Sequence, residues 1–176
     1  MDHLWRDRMA YILGAAKPPE GVCVFCEAPQ QADDTAVYIL HRGRLAYVIL
    51  NIFPYNTGHV MINPYAHVDS IEKLGDDALL EIMQLARLSL AAIRRVSNPH
   101  GFNLGANLGK AAGGGIDQHF HFHIVPRWLG DTNFMPIVAQ TRVLPENLDD
   151  LYKRLRPAFD EAAHQSGQIN FDNPSR

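Results

Sequence analysis

Five consecutive residues constrain this chain more than any others: His119-Phe120-His121-Phe122-His123. Strict polar–apolar alternation has the period of a strand, and it predicts one from Gln118 to Pro126. On such a strand the three imidazoles point to one face, about 6.6 Å apart, while Phe120, Phe122 and Ile124 point to the other. The apolar face anchors the strand in a core, and the imidazole face is held rigidly in one place. Three readings stay open on spacing alone: a catalytic cluster, a metal site, or the polar side of an edge strand.

The segment before the strand favours chemistry on an anion. Asn107-Leu108-Gly109-Lys110-Ala111-Ala112-Gly113-Gly114-Gly115 is a glycine-rich turn, and residues without Cβ atoms let backbone N–H groups approach a phosphate closely. Local geometry has to do this work, because the formal net charge of −3 supplies no basic surface. The same balance argues against nucleic acid as a partner. A neutral imidazole is a good nucleophile toward phosphorus and leaves well from a phosphoramidate, so one difficult displacement becomes two easier ones. Loop amides and a neighbouring imidazole would stabilise charge on the equatorial oxygens.

The remainder reads as one α+β domain spanning 1–166, with a core from about 22 to 136 and a loose tail at 167–176. An amphipathic stretch from Leu4 to Leu13 ends at the breaker Lys17-Pro18-Pro19-Glu20-Gly21. Ala36–His41 and Leu45–Ile52 are expected to pair as a hairpin across Arg42-Gly43-Arg44, with a third strand at His59–Asn63. Asp76 and Asp77 are expected to cap a long helix ending near Arg95. Gly101–Asn107 reads as a strand and Pro145–Gln165 as a C-terminal helix. The sheet is expected to be mostly antiparallel. The N-terminus MDHLWRDRMAYILG carries charge throughout and lacks a signal-peptide apolar region. No run approaches the roughly 20 apolar residues that span a bilayer, so a cytoplasmic protein without membrane partners is expected.

With these residues in view, the chain resembles the histidine-triad (HIT) family, whose signature alternates three histidines with apolar residues. Here it stands as His119-Phe-His121-Phe-His123-Ile-Val, and the resemblance runs from about Leu4 to Pro136. It implies that His121 attacks the α-phosphate and that His123 contacts the phosphate or holds the nucleophile, with His119 completing the triad. In NIFPYNTGHV, Asn51 is similar to the family's ribose-binding residue and His59 to the histidine that orients the triad. Outside the family pattern they would read as a strand-end Asn and a buried, hydrogen-bonded His. Asn107 and Gly113 to Gly115 resemble the α-phosphate loop, and Gln118 the contact for an incoming phosphate or for the nucleotide. The segments PHGFNLGANLG and Pro126 to Pro136 are similar to bacterial diadenosine tetraphosphate phosphorylases. That branch implies adenine dinucleotides and inorganic phosphate as substrates and a homodimer or tetramer as the assembly. Hydrolysis of dinucleoside polyphosphates or AMP-amine phosphoramidates is the alternative reaction. A nucleotide-binding regulatory module without turnover is the alternative from another class.

Cys23 and Cys26 have the spacing that lets two thiolates reach one ion. Zinc takes four ligands, and His67 and His119 are the candidates for the other two. The set resembles the Cys, Cys, His, His zinc site of several bacterial histidine-triad proteins, which implies a structural ion. No organic cofactor is implied, and the mechanism does not require Mg²⁺.

Overall fold

The computed structural model describes residues 21–113, 115–131 and 146–167. The stretch Leu4–Leu13, Gly114, the segment after Asp131 up to Pro136, and the tail from 168 onward lie outside the described residues.

Five strands form one antiparallel sheet, as the patterning predicts. They are β1 (Ile39–Arg42), β2 (Ala46–Leu50), β3 (Val60–Pro64), β4 (Gly101–Gly105) and β5 (Phe122–Arg127), in the order β1-β2-β3-β5-β4. Helices α1 (Val24–Glu27) and α2 (Asp34–Val37) precede the sheet, α3 (Asp76–Ser97) connects β3 to β4, and α4 (Leu148–Gly167) follows it. Among the described residues no helix is long and apolar enough to cross a membrane.

Both faces of the central strands are covered, so β2 and β3 are buried along their whole length. On one face Leu40, Val48, Leu50, Val60, Ile62 and Ile124 meet Ile82, Leu85 and Ile93 of α3 and Leu155 and Phe159 of α4. The opposite face carries Ile39, Tyr47, Ile49 and Met61 under Phe25, and it is this face that holds the site.

Three elements differ from the pattern-based reading, each for a local reason. The first strand begins at Ile39 rather than Ala36, because the Asp33 carboxylate accepts the Thr35 N–H and caps α2, which ends at Tyr38 in the left-handed region (φ 60°). Asp76 and Asp77 do not cap α3; its N-cap is Gly75, and the two carboxylates sit in the first turn, where they complement the helix dipole. The ladder of β5 starts at Phe122, so Gln118 to His121 stand outside it, with the Phe120 N–H donating to the Val68 carbonyl. Alternation still holds: Phe120 and Ile124 are in the helix-side core, and Phe122 packs against it.

The hairpin between β1 and β2 depends on a long-range carboxylate. Glu81 Oε1 of α3 accepts the Leu45 N–H at 2.8 Å and the Ala46 N–H at 3.2 Å. A Cβ on Gly43 would collide with that oxygen and lie 2.8 Å from the Ala46 carbonyl oxygen. Gly43→Ala should therefore displace Glu81, strand two amides and lower stability by about 2 kcal/mol. A urea titration checks this: the midpoint falls with the slope unchanged, and an unmoved midpoint contradicts the Glu81 role.

Candidate active site and metal centre

Four histidines converge on the cavity-bearing face, and all are nearly sealed: His59 is 0% exposed, His119 1%, His121 6% and His123 7%. Their hydrogen bonds fix where each proton sits. His121 Nδ1 lies 2.8 Å from the His119 carbonyl oxygen, an atom that only accepts. Nδ1 therefore carries the hydrogen, and Nε2 carries the lone pair. Burial lowers the His121 pKa below its ordinary value, while the bond to the His119 carbonyl opposes that shift, so the neutral nucleophilic form is favoured.

His123 has the opposite tautomer. The Tyr55 N–H donates to His59 Nδ1 at 3.0 Å, so the His59 hydrogen is on Nε2. Nε2 then donates to His123 Nδ1 at 2.9 Å, which puts the His123 hydrogen on its own Nε2. The two rings stand edge to face with centroids 4.8 Å apart. Side by side they offer a lone pair and an N–H donor, the pair that attack on phosphorus with oxyanion stabilisation requires.

These two rings line one end of a cavity of about 710 Å³. Ile49, Met61 and His123, directly paired across β2, β3 and β5, belong to its lining, and Ile39, fully buried, continues the same row of pairs into β1. With strands about 4.8 Å apart, the row extends about 14 Å from His123 to the sheet edge. Val22, Val24 and Phe25 roof it, and Ala36, Val37 and Tyr38 line it near the β1 edge. An apolar slot with a polar, reactive end suits a ligand with a flat apolar part and a charged one.

Asn51 and Gly115 also line the cavity. The Asn51 side chain is engaged with the loop that follows it: Oδ1 accepts the Phe53 N–H at 2.9 Å and Nδ2 lies 3.3 Å from His59 Nδ1. Asn107, Gly113 and Gln118 are not among the lining residues, and Gly113 and Gln118 are exposed on the approach to His119.

His119 faces the other way. Its Nε2–H donates to the Pro64 carbonyl at 3.0 Å, which leaves the Nδ1 lone pair pointing at Cys23 Sγ (3.4 Å), Cys26 Sγ (3.5 Å) and His67 Nδ1 (3.3 Å). Cys26 Sγ is 3.3 Å from His67 Nδ1, and all four donor atoms lie within 4.8 Å of one another. A tetrahedral zinc with bonds of about 2.3 Å to sulfur and 2.0 Å to nitrogen sets ligand edges of about 3.3–3.7 Å, so the cluster fits that ion. Without a cation, burial and the neighbouring Cys23 push the Cys26 thiol up to about 11, and burial holds His119 down at about 4. Both shifts favour the uncharged forms, a protonated thiol and a neutral imidazole; a bound cation would reverse this for the thiol by stabilising the thiolate.

Three supports escaped sequence reasoning. Phe25 wedges between the two clusters, its ring 5.5 Å from His119 and 5.1 Å from His121. Its position inside Cys23-x-x-Cys26 was the available signal. The Tyr55 amide sets the His59 tautomer, and no side-chain pattern announces a backbone N–H. Asp131 accepts from Arg127 Nε (2.7 Å) and Nη2 (2.8 Å), from Asn56 Nδ2 (2.8 Å) and from the Trp128 N–H (3.1 Å). It thereby clamps the loop that leads into His59, where Gly58 at φ 78° turns close against Pro126.

An α+β domain that buries two imidazoles of opposite tautomer at the polar end of an apolar cavity is a scaffold for nucleophilic histidine chemistry. The chain belongs to the HIT domain family, whose model matches residues 31–128. It is 44% identical over 131 residues to a protein named AP-4-A phosphorylase in Mycobacterium tuberculosis, covering 74% of this chain and 67% of that one. Two solved structures share the fold at 23% identity. One is a hypothetical histidine triad nucleotide-binding protein of Sulfolobus tokodaii (TM-score 0.66, 88% of this chain and 100% of that one). The other is a zinc-bound histidine triad family protein of Mycobacterium smegmatis (TM-score 0.65, 81% and 96%).

The tautomers are directly measurable. Long-range ¹H–¹⁵N correlation spectra at neutral pH should show His121 protonated on Nδ1 and His123 on Nε2; the same tautomer on both rings would contradict the assignment.

Proposed function

We propose that the protein is a nucleotidyltransferase that cleaves dinucleoside tetraphosphates with inorganic phosphate through a nucleotidyl-His121 intermediate. The observation that carries this is the 2.8 Å bond from His121 Nδ1 to the His119 carbonyl, which leaves Nε2 as the nucleophilic nitrogen at the end of the cavity. Kinship with the mycobacterial AP-4-A phosphorylase supports the choice of substrate.

In this reading one nucleoside occupies the apolar slot, with Asn51 at the ribose. The loop from Asn107 through Gly113, Gly114 and Gly115 holds the α-phosphate. His121 Nε2 attacks the α-phosphorus; the N–P bond forms as the P–O bond to the departing nucleoside triphosphate breaks. The His123 N–H stabilises the equatorial oxygens, and His59 keeps that N–H in place. A phosphate oxygen, received beside Gln118, then attacks the same phosphorus. The N–P bond breaks, ADP leaves and His121 returns to its neutral state.

Cys23, Cys26, His67 and His119 hold zinc in this account. With all four positions filled by protein the ion has no open site for substrate and serves as a structural tie between α1, the segment after β3 and the histidine segment. The assembly is a homodimer or tetramer, with Leu104 on the outer strand β4 and Leu129, 87% exposed, as the apolar groups it would cover.

Diadenosine tetraphosphate incubated with and without phosphate, followed by nucleotide separation, decides the reaction. ADP plus ATP appearing only with phosphate is expected, and His121→Asn should lower kcat at least about a thousandfold. AMP plus ATP irrespective of phosphate would make the protein a hydrolase. No cleavage by the wild type would point to AMP-amine phosphoramidates as substrates or to a binding module.

Zinc has its own check. Elemental analysis should find one ion per chain, with a chelator lowering the melting temperature and Cys26→Ser abolishing retention. A metal-free protein that melts at an unchanged temperature would refute the site.

A further inference from the structure

The edge of the sheet farthest from the histidines is held in an unusual way. Tyr38 and the first two residues of β1 each bond to a different side chain of α4. Tyr38 Oη donates to Asp149 Oδ1 at 2.6 Å, Tyr152 Oη donates to the Ile39 carbonyl at 3.0 Å, and Arg156 Nη1 donates to the Leu40 carbonyl at 2.7 Å. Positions 149, 152 and 156 follow i, i+3, i+7 and so form one stripe of the helix. The register shifts between Ile39 and His41, a bulge that leaves Leu40 without a partner in β2. Carbonyls loosened by that bulge on an edge strand are the ones the helix satisfies.

We propose that this stripe, Asp149, Tyr152 and Arg156, is a positioning device that sets nucleotide affinity by fixing the outer end of the substrate cavity. The proposal rests on the nucleotide reading of the cavity given above. Ile39, fully buried, pairs directly with Ile49, which lines the cavity. Tyr38 closes α2, its N–H returning to the Asp34 and Thr35 carbonyls, and it holds a left-handed backbone (φ 60°, ψ 31°) that a bulky residue adopts only when its surroundings enforce it. Those surroundings are Asp149 on the hydroxyl and Tyr152, whose ring stands edge-on at 5.9 Å. Ala36 and Val37, just before that turn, line the cavity. A shift of the stripe therefore moves the wall of Ala36, Val37 and Tyr38 and, through the Ile39–Ile49 pair, the lining residue beside it. His121 and His123 are anchored separately by the His119 carbonyl and by His59, three strands away. The helix itself lies beyond residues 31–128 matched by the family model.

The separation predicts a split between binding and chemistry. Tyr152→Phe, which removes only the hydroxyl, and Arg156→Met, which keeps a long apolar stem, are compared with the wild type. Glu161→Gln is the control: it breaks the 2.7 Å ion pair between α4 and Arg95 of α3 without touching β1. Two readouts are taken, diadenosine tetraphosphate kinetics with phosphate and AMP binding by calorimetry. Each β1-directed variant should raise KM and weaken AMP binding by the same factor, about three- to tenfold, with kcat within about twofold of the wild type. The control should leave both unchanged. If Tyr152→Phe fails to fold, Arg156→Met, half-buried at the surface, decides alone. Unchanged KM and AMP affinity, or a fall in kcat without a rise in KM, overturns the positioning role while the nucleotide reading stands. A wild type that binds no AMP and cleaves no dinucleotide overturns both.

Discussion

The site depends on one hydrogen bond, from His121 Nδ1–H to the backbone carbonyl of His119. A free imidazole exchanges its proton between two nitrogens, and only one arrangement leaves a usable lone pair toward a bound phosphate. Fixing Nδ1 as the donor settles this in advance. Because the acceptor is backbone, the arrangement follows from the path of the chain, and that path is held by His119. Its ring bonds to the Pro64 carbonyl on one side and faces two thiols and His67 on the other. A structural cluster thus sets the carbonyl that sets the nucleophile.

The two faces of the sheet divide the labour. The helix-side core, built from α3 and α4, supplies the apolar burial that holds the strands in register. Among the described residues the opposite face is covered by the short segment from Val22 to Val37 together with Tyr65 and Ile116, and the space left is the cavity. In the proposed reading chemistry sits at the β5 end, where the imidazoles interlock, and recognition extends toward the β1 edge, which α4 holds. Asp131 and Glu81 play matching parts at the two ends, each a carboxylate that gathers donors from a loop the sheet alone could not hold.

Much of this was legible in the sequence, and what was not has a common cause. The alternation around His121 announced two unlike faces; the apolar face is as expected, but only His121 and His123 line the cavity, while His119 turns to Cys23, Cys26 and His67. His119 and His121, however, lie before the ladder, because their segment is held by ring and backbone bonds outside β5 rather than by strand pairing. Cys23, Cys26, His67 and His119 come together within 4.8 Å across almost a hundred residues, as their types and spacing suggested. The tautomers were invisible, since they turn on the Tyr55 amide and the His119 carbonyl, groups every residue possesses. The first strand was read too long because Val37 and Tyr38 are good strand formers; a side-chain cap at Asp33 overrode that propensity. Asn51 was read through its likeness to relatives; its side chain also accepts the Phe53 N–H and lies 3.3 Å from His59 Nδ1, a local duty that no side-chain pattern announces.

The central claim is that His121 Nε2 becomes covalently bonded to phosphorus during turnover. Rapid acid-free quenching of the enzyme with α-³²P-labelled diadenosine tetraphosphate in the absence of phosphate, followed by proteolysis and peptide mapping, tests it most directly. The account predicts a base-stable, acid-labile nucleotide on the peptide containing His121, discharged as ADP when phosphate is added. Label on another residue, or turnover without any label on the protein, would contradict it.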